Sequence, residues 1–154
     1  MERIASFCVD HTRLERGMYL SRQDGDVLTW DIRMKKPNQG DYLTTVAAHT
    51  LEHLFATYAR NSAVKDGVIY VGPMGCRTGF YLLTRGLTPA EALSLTVESF
   101  RFMAGFLRHI RSLRHRRVQF CRASIRRWGL LPSFVSFIIS RERISFGSRL
   151  CSIS

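Results

Sequence analysis

Leu28, Trp30, Ile32 and Met34 alternate with Thr29, Asp31 and Arg33, a period of two that predicts a strand with one apolar and one polar face. Met18 to Gln23 reads as its partner strand, with Asp24-Gly25 supplying the hairpin turn. Arg33 falls on the polar face, where it either pairs with a carboxylate or is solvated. Lys35-Lys36-Pro37-Asn38-Gln39-Gly40 breaks the alternation and forms a loop. From about Tyr42 to Arg60 the period becomes helical. Ala47, Leu51, Leu54, Phe55 and Tyr58 make an apolar stripe, and His49, Glu52, His53 and Ala56 lie beside it. Val68 to Val71 and Phe80 to Thr84 are short apolar strands. Between them, residues 72–79 hold three glycines and a proline, which mark a constrained loop. Thr88-Pro89-Ala90-Glu91 is a capping box with proline at the first helical position. Its helix carries Leu93, Val97, Phe100 and Ala104 on one stripe and is expected to stop at Gly105.

A chain of 154 residues suits one domain with a real core. No apolar run approaches the roughly 20 residues a membrane helix needs, and Met1-Glu2-Arg3-Ile4 lacks the apolar region of a signal peptide. Four cysteines (Cys8, Cys76, Cys121, Cys151) without an export signal fit a reducing, cytoplasmic location, with uses in burial, metal binding or catalysis. The net charge of +11 changes meaning once it is divided along the chain. Residues 1–106 hold twelve Lys or Arg against eleven Asp or Glu. Residues 107–154 hold eleven Arg, no Lys and one acidic residue, Glu142. The basic excess belongs to the tail, and a nucleic-acid partner is not expected of the domain in front of it.

Candidate chemistry centres on His49-Thr50-Leu51-Glu52-His53. On a helix, residues four apart share a face one turn apart, so two imidazoles can hold one divalent metal. Glu52 shares that face and can move a proton at a metal-bound ligand. The order His-x-x-Glu-His also stands among metalloprotease signatures, so the motif alone does not settle the reaction. The plain alternative is a helix with two exposed or hydrogen-bonded histidines. Cys76, in the Gly-rich loop with Arg77 beside it, has neighbours that can lower its pKa and leave it accessible; a small buried thiol is the competing reading. His11 stands alone, and alone it is a structural histidine.

Taken together, Ser6-Phe7 with Val9-Asp10-His11-Thr12, Asp31-Ile32-Arg33, His49 to Ala56 and Pro73 to Tyr81 closely resemble S-ribosylhomocysteine lyase, the autoinducer-2 synthesis family known as LuxS. The resemblance spans residues 2–106, about two thirds of the chain. It implies an α+β fold, a small antiparallel sheet packed against helices. It implies that His49 and His53 are ligands to a divalent metal, Fe2+ with Zn2+ or Co2+ accepted. Glu52 and Cys76 match the family's acid/base pair. Ser6, His11 and Arg33 match residues that contact substrate or shape a pocket at a homodimer interface. The implied reaction walks the sugar carbonyl from C1 to C3 by proton transfers, then expels homocysteine by β-elimination to leave 4,5-dihydroxy-2,3-pentanedione. Adjacent-carbon transfers need acid/base groups on opposite flanks, and a carboxylate plus a thiol supply them.

The resemblance also implies a third metal ligand, in a Cys-Gly that follows an acidic segment. After Phe106 the chain reads Leu107-Arg108-His109-Ile110-Arg111, and Cys121 is followed by Arg122 where glycine should stand. The expected division is therefore an incomplete lyase domain at 1–106 and an Arg/Ser-rich tail at 107–154. That tail reads as an out-of-frame translation, because composition changes abruptly in mid-domain with no linker. Two other functions remain at this stage: a His-x-x-Glu-His metalloprotease, and a basic protein whose tail binds nucleic acid or anionic lipid.

Overall fold

The computed structural model describes residues 15–112, and of residues 107–112 the backbone alone. Two hairpins build a four-stranded antiparallel sheet. The first joins β1 (Gly17–Asp24) to β2 (Val27–Arg33), and the second joins β3 (Val68–Pro73) to β4 (Gly79–Arg85). The strand order is β1-β2-β4-β3, so β2 and β4 meet at the centre. Between the hairpins lies α1 (Thr45–Ala59), and after them α2 (Pro89–Ser112). This is the α+β architecture expected, a small antiparallel sheet with helices packed on it.

The first turn differs by one residue from its sequence reading. Asp24 pairs with Val27, and the two loop residues are Gly25 and Asp26. Gly25 takes φ +59°, a left-handed value at the first loop position that glycine adopts without steric cost.

Strand alternation sends Met18, Trp30, Ile32, Phe80 and Leu82 to one face, where all are buried. Leu51, Phe55 and Ala59 of α1 and Ala92, Leu95, Phe100 and Met103 of α2 complete that core. Phe55 joins the two layers, with its ring 6.2 Å from Phe80 and 5.5 Å from Phe100, both edge-on. Trp30 buries its indole at no polar cost, because Nε1 donates to Thr84 Oγ1 at 2.9 Å.

The capping box forms as read. The Thr88 amide and hydroxyl both donate to the Glu91 carboxylate, and the Glu91 amide donates back to Thr88 Oγ1 at 3.3 Å. The other end of α2 is a correction. The helix does not stop at Gly105 but continues to Ser112. Glycine ends a helix by taking a left-handed φ, and Gly105 is not among the positive-φ residues. Phe102 and Phe106 keep a ring contact at 5.9 Å across it.

Candidate active site

α1 opens where Thr44, in extended conformation, accepts from the Ala47 amide at 3.2 Å through its side chain. Ala47, Ala48, Leu51, Phe55 and Ala59 then face the core. With that stripe fixed, His49 and His53 fall on the exposed side and Glu52 is half-buried beside it. The two histidines turn toward each other, with Nε2 atoms 3.1 Å apart, ring centroids at 4.5 Å and planes at 77°. Two nitrogens bound to one ion at about 2.0–2.1 Å stand about 2.8–3.4 Å apart, for angles from octahedral to tetrahedral. The observed spacing lies inside that range. It also suits an N–H···N hydrogen bond, with the tautomer deciding which ring donates. The donor chemistry therefore fits one divalent ion at two positions. Among the described residues, no group of three or more His, Cys, Asp or Glu could hold a metal ion.

Cys76 lies in the loop between β3 and β4. Met74, 1% exposed, anchors it; the Met74 amide donates to the Gly79 carbonyl at 2.9 Å, and the Arg77 amide to the Met74 carbonyl at 2.8 Å. The Thr78 carbonyl accepts from both the Met34 and Lys35 amides at 2.9 Å, and the Arg77 carbonyl accepts from Leu43 at 2.8 Å. Backbone bonds thus tie this loop to the chain leaving β2 and to the segment that leads into α1. The thiol is free and exposed.

Arg33 reaches the same loop from β2. Its register partner on β4 is Gly79, where a Cβ would come within 1.9 Å of the Ile32 carbonyl oxygen. Only glycine lets the two backbones close up beside Arg33. Arg33 is 4% exposed, and both outer nitrogens of its guanidinium are hydrogen-bonded. Nη1 donates to Thr78 Oγ1 at 2.9 Å and to Cys76 Sγ at 3.5 Å, and Nη2 donates to Asp31 Oδ2 at 2.9 Å. Arg33 Nε and Asp31 Oδ1 are buried with no partner among the described residues. Cys76 Sγ stands 3.0 Å from Thr78 Oγ1. Burial pushes the thiol pKa up, but the Thr78 hydroxyl and amide pull it down, and the charge and hydrogen bond of Arg33 add to that pull. The pull wins, and the pKa lies below the usual thiol value. Tyr81, opposite Asp31, is pushed up by burial, then by Asp31 and Cys76, against the pull of Arg33.

The structure thus assigns Arg33 a carboxylate partner and places it under Cys76. Arg77, the cation expected beside the thiol, goes elsewhere. Its φ is +55°, and its guanidinium sits over the Tyr42 ring at 5.8 Å. Sequence reasoning missed Thr78 and Asp31. Asp31 lies two residues from Arg33 on β2, and in a strand that spacing means the same face. Thr78 lies two residues from Cys76 in the turn before β4, where no such rule holds. Ser6, His11 and Cys121 lie outside the described residues.

The chain matches the family described as S-Ribosylhomocysteinase (LuxS) over residues 4–122. The chain belongs to the S-ribosylhomocysteine lyase (LuxS) family. It is 49% identical over 112 residues to the S-ribosylhomocysteine lyase of Desulfotalea psychrophila, covering 69% of this chain and 70% of the relative. The lyase of Phocaeicola vulgatus is 51% identical over the same length and coverage. That of Clostridium acetobutylicum is 47% identical over 112 residues, 69% of this chain and 71% of the relative. Resemblance in the motifs ended at Phe106, but the family match carries on to Arg122 and takes in Cys121. LuxS membership removes the reading of His-x-x-Glu-His as a protease signature.

Proposed function

We propose that this chain is a metal-dependent S-ribosylhomocysteine lyase that splits its substrate to homocysteine and 4,5-dihydroxy-2,3-pentanedione. The observation that carries this reading, beside the family match, is the Cys76 thiol held toward its ionised form in a loop bonded to the entry of the helix that bears His49, Glu52 and His53. His49 and His53 would hold a divalent ion, Fe2+ with Zn2+ or Co2+ as substitutes, which supplies Lewis-acid polarisation of the substrate carbonyl when bound.

The other roles fall to the chain itself. Cys76, as thiolate, takes a proton from a sugar carbon on its flank and returns it to the neighbouring carbon. Glu52, half-buried, does the same on the other flank. Both transfers conserve protons, so the carbonyl moves along the sugar without an added oxidant. Elimination then removes the proton from the carbon between the carbonyl and the carbon–sulfur bond. The homocysteine sulfur leaves with its electron pair and takes a proton, and the enol left behind tautomerises to the dione. Arg33 orders the thiol side, and Ser6 and His11 contact substrate. The enzyme works in the cytoplasm as a homodimer, with the pocket at the interface.

Two histidines without the family's Cys-Gly make a loose metal site, and turnover is correspondingly low. The test is release of homocysteine thiol from S-ribosylhomocysteine by the full chain under anaerobic titration with Fe2+. Slow release that climbs with added metal is expected. No release at any metal level would overturn the lyase reading, and full release without added metal would overturn the loose site. The tail at 107–154 is read as a frameshift, eleven Arg without one Lys being odd for a selected basic surface. An adjacent reading frame downstream of codon 106 should then encode the acidic segment and its Cys-Gly; its absence from both frames excludes the frameshift.

A further inference from the structure

We infer that Thr78 is the positioning residue that sets the protonation state of Cys76, acting as a hydroxyl bridge between the Arg33 guanidinium and the sulfur. Thr78 is fully buried, and its Oγ1 lies 2.9 Å from Arg33 Nη1 and 3.0 Å from Cys76 Sγ. A guanidinium has no lone pair to offer, so the hydroxyl must accept from Arg33. Its own proton is then free to point at one of two sulfurs. Met74 Sδ lies 4.0 Å away, and Cys76 Sγ is a full ångström nearer. The hydroxyl therefore donates to Cys76, polarised by the cation behind it.

Arg33 also donates to the sulfur directly, at 3.5 Å, so the hydroxyl at 3.0 Å is the nearer of the two donors and carries the polarisation of the guanidinium behind it. The backbone fixes the bridge as well. The Thr78 carbonyl is held by the amides of Met34 and Lys35, which directly follow Arg33 in the chain, and this keeps its side chain beside Arg33. Around the thiol, the charged and titratable groups among the described residues are Arg33 and Asp31 from β2, Tyr81 from β4 and Arg77 of the loop itself. Asp31 is already bound to Arg33 Nη2 at 2.9 Å, and Arg77 is turned to Tyr42. That leaves Thr78 as the donor nearest the sulfur. The lowered thiol pKa, in which burial opposes and Thr78 heads the opposing causes, agrees with this geometry.

The inference deepens the lyase reading at Cys76, but its test needs neither substrate nor metal. Iodoacetamide alkylation of the Cys76 peptide in the full chain, followed by mass spectrometry across pH, reports the thiolate fraction. Thr78→Val should move the midpoint upward and slow alkylation at neutral pH about tenfold, the size expected of one lost hydrogen bond to a charged group. Thr78→Ser keeps the hydroxyl and should keep the midpoint. An unchanged midpoint in Thr78→Val, or an equal shift in Thr78→Ser, would overturn the bridge. A readout without mutation covers the case in which the valine variant does not fold. In the wild-type chain, the Thr78 Cβ chemical shift should titrate with the Cys76 midpoint, and a Thr78 signal indifferent to that midpoint would also overturn it. If alkylation behaves as stated while no homocysteine is released, the lyase reading fails and the bridge stands.

Discussion

The two halves of the candidate site are built differently. On the sheet side, Asp31, Arg33, Thr78 and Cys76 form a chain of contacts at 2.9–3.0 Å, with Arg33 and Thr78 buried. On the helix side, the His49 and His53 rings are exposed and, among the described residues, hydrogen-bond only to each other, and no described residue hydrogen-bonds the Glu52 carboxylate. A buried charge must be paired and hydrogen-bonded to persist, so the sheet side can exist only with its partners in place. Exposed imidazoles face no such requirement. The thiol is thus tuned by the fold, whereas the exposed imidazoles are held by little besides each other.

The largest effects should be on turnover. Cys76→Ala and Glu52→Gln should each lower the rate of homocysteine release by about 10²–10⁴-fold, the usual contribution of an acid/base group. Cys76 is exposed and Glu52 half-buried, so thermal unfolding should be little changed. A near-wild-type rate in either variant would show that its half of the site does no proton transfer.

Arg33→Met comes next, and it acts on stability as well as chemistry. It leaves the largely buried Asp31 carboxylate, 13% exposed, without its cation, a loss of up to about 3–5 kcal/mol, the figure for a broken buried pair. Urea unfolding should show it as a large fall in midpoint with little change in slope. An unchanged midpoint would mean that the sheet side is not the rigid half.

How much of this was legible in the sequence follows from the same contrast. Local periodicity is enough to place strands, helices and the i, i+4 pair on α1, because those features are set by residues near one another. His49 and His53 converge as their spacing requires. The Arg33–Thr78 contact joins the last residue of β2 to the turn residue just before β4, and the two become neighbours only when β2 pairs with β4. No window along the chain contains both, so Arg33 read only as a charge on a polar face. Arg77 was adjacent in sequence and misled, because a left-handed φ at that residue turns it away from the thiol. Gly105 misled in the opposite sense, since a helix passes through glycine when packing on either side holds it. Asp31 was within reach of the rule that residues two apart share a strand face, being two from Arg33 on β2.

Protonation of Cys76 should have a smaller, pH-dependent effect. Its folded pKa is lowered, so the folded state prefers the thiolate more than the unfolded chain does. That contribution is fully present above the unfolded thiol pKa and is lost as pH falls through the lower folded value. Urea titrations of wild type and Cys76→Ala should therefore differ in slope against pH between those two values, and run parallel below both. Parallel curves throughout would mean the sulfur is not held by the sheet side at all.

The smallest effect on the fold should come from the helix side. His49→Asn removes an exposed ring whose only described side-chain partner is the exposed His53. Exposed substitutions of this kind shift stability by about ±0.5 kcal/mol, so the metal-free unfolding midpoint should barely move. The difference should emerge only when metal is added. A ligand that binds the native state alone stabilises it in proportion to its concentration over its dissociation constant, so Zn2+ or Co2+ should raise the wild-type melting temperature and leave His49→Asn unmoved. Cobalt adds a visible absorption band whose intensity reports coordination without reference to activity. If His49→Asn unfolds easily even without metal, the ring is part of the scaffold and the two halves are alike. If cobalt binds both proteins equally, the metal sits elsewhere and the 3.1 Å imidazole pair is only a hydrogen bond.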